Sequence, residues 1–178
     1  MAVEVDRRCR CRRWRDNGVL VHEDAVQTHS CRLGHVPMIR QILYLPKYHW
    51  RVTAYYAVSC YWTREIMHEL NRLHANEEVI ESAYRNMASC ALDTGLCYSN
   101  SAMHESVLVI AKTSTAAEFF NSFEHEFQHL KGHISSALGF DPNGEEVAYM
   151  SGELARDIYP MIKHLLCDCC RSKNPHLS

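Results

Sequence analysis

From residue 36 onward the chain alternates between two rhythms of apolar placement, and each change of rhythm marks a new element. Residues 36–46 and 50–62 are dense in β-branched and aromatic side chains and are parted by a short break at "PKYH", which predicts two strands joined by a tight connection. The period then lengthens. Over 63–75, Ile66, Leu70 and Leu73 share one helical face, and over 76–91 Ile80, Ala83, Tyr84, Met87 and Ala91 do the same. Residues 94–113 return to strand character, with a short strand, a polar loop and a strongly apolar strand over 107–111, so a hairpin is expected.

Ser114 or Thr115 can cap the next helix, which carries a wide stripe of Phe119, Phe120, Phe123, Phe127, Leu130 and Ile134 and should end near Leu138, at Gly139. The loop "GFDPNG" is rich in turn formers. A last helix is predicted over 143–166, with Val147, Met150, Leu154, Ile158, Ile162 and Leu165 inward. Residues 1–36 show neither period and read as an Arg- and Cys-rich extension; 37–166 form the expected domain; 167–178 form a Cys-rich tail. Strands and helices in this order predict the α+β class, with a small mixed or antiparallel sheet.

Composition narrows the function classes. A chain of 178 residues, 47% of them apolar, can bury one core. A net charge of -2 gives no overall attraction to nucleic acid or anionic membrane, and the six Arg of "RRCRCRRWR" at 7–15 are a local feature, read first as a solvated arm. No apolar run approaches the roughly 20 residues that span a bilayer, and "MAVEVDRRCR" lacks a signal-peptide core. A cytoplasmic protein with no membrane partner is therefore expected. In such a compartment the nine Cys should be free or metal-bound rather than paired.

The chemistry is concentrated in "FEHEFQHLKGH". His125, Glu126 and His129 form the H-E-x-x-H pattern inside a segment that reads as helix on independent grounds. Positions i and i+4 project from one helical face, so both imidazoles can reach one zinc ion at roughly 2.0 to 2.1 Å, while Glu126 stands about 100° around the axis, placed to act as a general base. A third ligand is needed. Glu145 and Glu146 both lie at the start of the next helix. If Asn143 caps that helix, Glu146 is the capping-box residue, and Glu145 is the preferred ligand; if Asp141 caps it with Pro142 in the first position, both stay in the first turns. His133 lies about 12 Å along the axis from His125, too far for one ion to take all three imidazoles, so it should support a ligand or face solvent. A metzincin would need His where Ser135 stands.

These residues carry a resemblance. "HEFQH", His133 eight residues after the first His, and "EEVA" further on resemble minimal gluzincins of the ImmA/IrrE type, which are small zinc metallopeptidases. "AYRNMASCALDTGLCYSN", "TAAEFFNSFEHEFQHLKGHI" and "GEEVAYMSGELARDIYP" resemble more closely a set of uncharacterised phage-derived or mobile-element zincins of gut bacteria. The likeness runs from about Val36 to Cys170. It implies a zincin-like fold in which the sheet packs on an active-site helix and a C-terminal glutamate helix, a bound zinc ion, and a peptide or protein substrate. Better-known gluzincins follow the ligand Glu with a small residue three positions on and then Asn or Asp; here Ala148 is followed by Tyr149.

Other features have plainer readings. Tyr149, Tyr159 and His164 could donate to an oxyanion, but aromatic residues at helical spacing read first as core. Cys9 and Cys11, the "HSCRLGH" stretch, and Cys167 to Cys170 could hold a second zinc, though the spacing lacks a matching pair of knuckles. The rival to a peptidase is a non-catalytic zinc-binding regulatory module, or one that binds nucleic acid through the Arg-rich arm. Retention of Glu126 favours the enzyme. The apolar strand "SVLVIAK", just before the active helix, is the expected edge for an extended peptide.

Overall fold

Tyr55 and Tyr56 are neighbours in one strand, yet each is buried in a different core. The reason is a sheet covered on both faces, seen in a computed structural model that describes residues 38–90 and 95–172. Strand β1 (Ile39–Leu45) pairs antiparallel with β2 (Trp50–Val58) through a one-turn 3-10 segment. Helices α1 (Thr63–Arg72) and α2 (Glu77–Ala88) follow, then the hairpin of β3 (Gly95–Asn100) and β4 (Glu105–Ala111). Helices α3 (Ala116–Leu138), α4 (Glu145–Ile162) and α5 (Asp168–Ser172) complete the order. Strand β4 pairs parallel with β2, giving a mixed sheet in the order β1-β2-β4-β3.

Alternation along the strands divides the two cores. Trp50, Val52, Ala54 and Tyr56 of β2, with Leu108 and Ile110 of β4, face α3 and α4. Tyr55, Val107 and Val109 face α1 and α2. A bulge at Ala57, whose φ is 58°, shifts the register and reverses the alternation, so that Val58 joins Tyr55 on the α1–α2 side. The α+β class and the mixed sheet follow the sequence, with helices on both faces.

Local signals place most helix ends. Thr115 accepts from the Glu118 amide while Glu118 accepts from the Thr115 amide, the capping box that starts α3, and Gly139 ends it at φ 70°. Phe119, Phe123, Phe127, Leu130 and Ile134 are buried as expected. Phe120 is 55% exposed and Tyr84 57% exposed, so both fall off the stripes assigned to them; Ala91 lies outside the described residues. Helix α4 starts later than either capping scheme requires. Its N-cap is Gly144, with no side-chain cap.

Two further expectations are overturned. Cys60 and Cys90 form a disulfide that joins the turn before α1 to the end of α2, where free or metal-bound thiols were expected. The strand of "SVLVIAK" is interior, between β2 and β3, because the β2–β4 pairing is parallel. The edges are β1 and β3. Among the described residues no helix is long and apolar enough to cross a membrane.

Candidate metal centre

Helical rotation explains how α3 presents its three histidines. Each step of four residues turns about 40° beyond a full circle, so His129 and His133 drift progressively from the azimuth of His125 toward that of Glu126, about 100° away. Burial follows that drift. His125 and His129 are exposed, His133 is half-buried, and Glu126 is only 4% exposed. The buried flank lies on β3, which runs alongside α3: the Glu126 Cγ stands against Gly95, and the His133 ring meets Ser99 and Cys97.

The His125 and His129 rings converge. Their Nε2 atoms are 3.2 Å apart, with the rings edge to face at 4.9 Å. Two nitrogens bound to one tetrahedral ion at about 2.0 to 2.1 Å stand about 3.3 to 3.4 Å apart, so the pair has the spacing of two ligands of a single ion. It is also the spacing of an N–H···N hydrogen bond, which such an ion would replace. Glu126 Oε1 lies 4.0 Å from His125 Nε2, beside the pair. Donor chemistry and spacing thus fit a zinc ion on the histidine side.

The carboxylate side is not assembled in the same way. Glu145 and Glu146 are the first two residues of α4. Glu146 accepts from the Tyr48 hydroxyl at 2.9 Å and pairs with Lys47, whose ammonium, more than any other neighbour, holds the Glu146 carboxyl below the usual range. Glu145 is exposed. Among the described residues no group of three His, Cys, Asp or Glu is gathered where one ion could bind. Tyr149 and Tyr159, expected in the core, are 66% and 59% exposed; His164 is partly buried.

The tail has a structural task instead. Asp168 accepts from the Ala116 amide at 2.7 Å, and the buried Arg171 donates to the carbonyls of Thr113 and Leu165, so α5 clasps the start of α3. The N-terminal thiols, the "HSCRLGH" stretch and the Arg cluster lie outside the described residues.

Sequence reasoning missed a row of polar groups beneath the site. Trp50 Nε1 donates to Ser106 Oγ at 2.8 Å, Ser106 Oγ meets Ser99 Oγ at 2.7 Å, and Ser99 Oγ meets His133 Nδ1 at 3.2 Å. Cys97 Sγ lies 3.8 Å from the same nitrogen. Period 2 puts residues 95, 97 and 99 on one strand face, but nothing local says that α3 covers that face.

No protein-family model matches this chain, and no solved structure does. A segment of 61 residues is 36% identical to part of a PIPO polyprotein of Zucchini yellow mosaic virus (strain Singapore). That segment is 34% of this chain and 6% of the polyprotein, so the likeness is confined to a short stretch of a far longer protein.

Proposed function

We propose that the protein is a zinc-dependent metallopeptidase of the gluzincin kind. The observation that carries this reading is the convergence of His125 Nε2 and His129 Nε2 at 3.2 Å, beside a carboxylate 4.0 Å from the first of them. His125 and His129 hold the ion. Glu145 is the third ligand in this reading, since Glu146 is already engaged by Tyr48 and Lys47. Bound there, zinc supplies Lewis acidity, which acidifies a water molecule and polarises a carbonyl.

The chain's own residues supply the proton handling. Glu126 takes the proton of the attacking water on a carboxylate oxygen and returns it to the amine nitrogen that leaves. Its burial and its packing on Gly95 fix the carboxylate close to the histidines. The edge that can align an extended peptide beside α3 is β3, whose outer backbone groups face away from β4. A peptide or protein substrate in the cytoplasm completes the reading.

Glu126→Gln tests it. The amide keeps the shape of the side chain and leaves both histidines in place, yet it cannot accept the proton, so cleavage should fall by about 10² to 10⁴-fold with zinc content unchanged. Cellular proteomes exposed to wild type and variant, compared for new peptide termini, provide the substrate. Equal cleavage by a zinc-loaded variant would remove Glu126 from the role. The separation of Glu145 from the histidine pair favours a second reading, a zinc-binding regulatory module without catalysis. That module would yield no product while binding its partner equally well in both forms.

A further inference from the structure

The row of polar groups under α3 has only one proton arrangement that satisfies every buried donor within it. Trp50 is wholly buried and its indole can only donate, so Ser106 Oγ must accept. Ser106 is 1% exposed, and its own proton has an acceptor in Ser99 at 2.7 Å. Ser99 then donates to His133 Nδ1 at 3.2 Å. The reverse order, with Nδ1–H donating to Ser99 and Ser99 to Ser106, makes Ser106 accept twice and leaves its buried proton with no acceptor in the row. Cys97 agrees with the first order. Burial, and then the charge of Glu126, push its thiol pKa far up, so it keeps a proton that can point at the same Nδ1 from 3.8 Å.

The consequence falls on the ring. Nδ1 is the acceptor, the remaining proton sits on Nε2, and burial together with the neighbouring His129 holds the ring's pKa below the usual histidine value. With Nδ1 turned to β3, Nε2 lies on the far side of the ring from the strand. The His129 ring centre is 6.3 Å away.

We propose that the Trp50–Ser106–Ser99 row is a tautomer lock, which holds His133 as a neutral Nε2–H ring and gives the site a fixed hydrogen-bond donor for a substrate carbonyl oxygen. Within the metallopeptidase reading, on which its use rests, His133 contacts the substrate. Ser99 is then a positioning residue that acts through His133. Nothing in the lock itself depends on a metal.

Imidazole ¹⁵N shifts of the full chain without metal decide the lock directly. Wild type should show a pyridine-like Nδ1 and a pyrrole-like Nε2 for His133 at neutral pH, and Ser99→Ala should turn this into a mixture of tautomers while the protein stays folded. A protonated Nδ1 in wild type, or an unchanged pattern in Ser99→Ala, overturns the proposal. Cleavage of a proteome-derived product tests the donor: His133→Gln should lower kcat by about 10² to 10³-fold with little change in KM and in zinc content. His133→Gln cleaving as fast as wild type overturns the donor role. Absence of any wild-type product removes the peptidase reading, and the ¹⁵N shifts still decide the lock.

Discussion

Gly95 and Glu126 touch so closely that no other residue fits at position 95. A Cβ built there would stand 2.9 Å from Glu126 Cγ and would collide with the Val109 carbonyl oxygen. The edge strand therefore helps to place the carboxylate, and the absent side chain is the means. Gly95→Ala should cost about 1 to 3 kcal/mol, as overpacking does, and should depress cleavage further by moving Glu126. A denaturant titration and a product assay check this; a variant as stable and as active as wild type would show that the contact has no role.

The orientation of α3 rests on its aromatic stripe. Phe123 is 6% exposed and stacks on Phe127 at 5.2 Å, whereas Phe120 is 55% exposed. Phe123→Ala should cost about 3 to 5 kcal/mol. Phe120→Ala should stay within about 0.5 kcal/mol. Equal costs in denaturant titrations would mean that the helix is rotated from the position described.

On the opposite face, Glu69 joins the sheet's charges. Burial pushes its carboxyl up, but the Arg72 guanidinium at 2.8 Å outweighs this and the net shift is downward; Arg72 also reaches Glu105 at 2.7 Å. A carboxyl with a depressed folded pKa contributes stability that is present above its unfolded pKa and is lost as pH falls through the folded value. Stability should thus decline below about pH 4.5, and Glu69→Gln should be less stable than wild type at neutral pH by about 1.5 to 3 kcal/mol, with the gap closing in acid. Unfolding midpoints at pH 7 and pH 3 measure it. A gap that is constant with pH would contradict the ion-pair assignment.

Much of the fold was legible because its signals are local. Thr115, Glu118 and Gly139 mark the ends of α3 in the residues themselves, and Ile66, Leu70 and Leu73 mark the buried face of α1 and the turn after it. What depended on distant pairing was not. The parallel β2–β4 contact made "SVLVIAK" an interior strand and β3 the edge, and no feature of either segment dictates that. Capping logic at Asn143 failed because Glu146 found Tyr48 and Lys47, which lie 98 and 99 positions earlier in the chain. His133 was legible in part: about 80° of drift from His125 already turns it toward the buried flank, though the serines that meet it come from β3 and β4.

Zinc content tests the central claim most directly. Purified wild type and Glu126→Gln, loaded with zinc and freed of excess, should each retain about one ion per chain, and His129→Ala should retain far less while remaining folded by circular dichroism. Removing one of the two converging imidazoles leaves a site with too few donors. Equal zinc in His129→Ala and wild type, or none in wild type, would contradict the metal centre at His125 and His129.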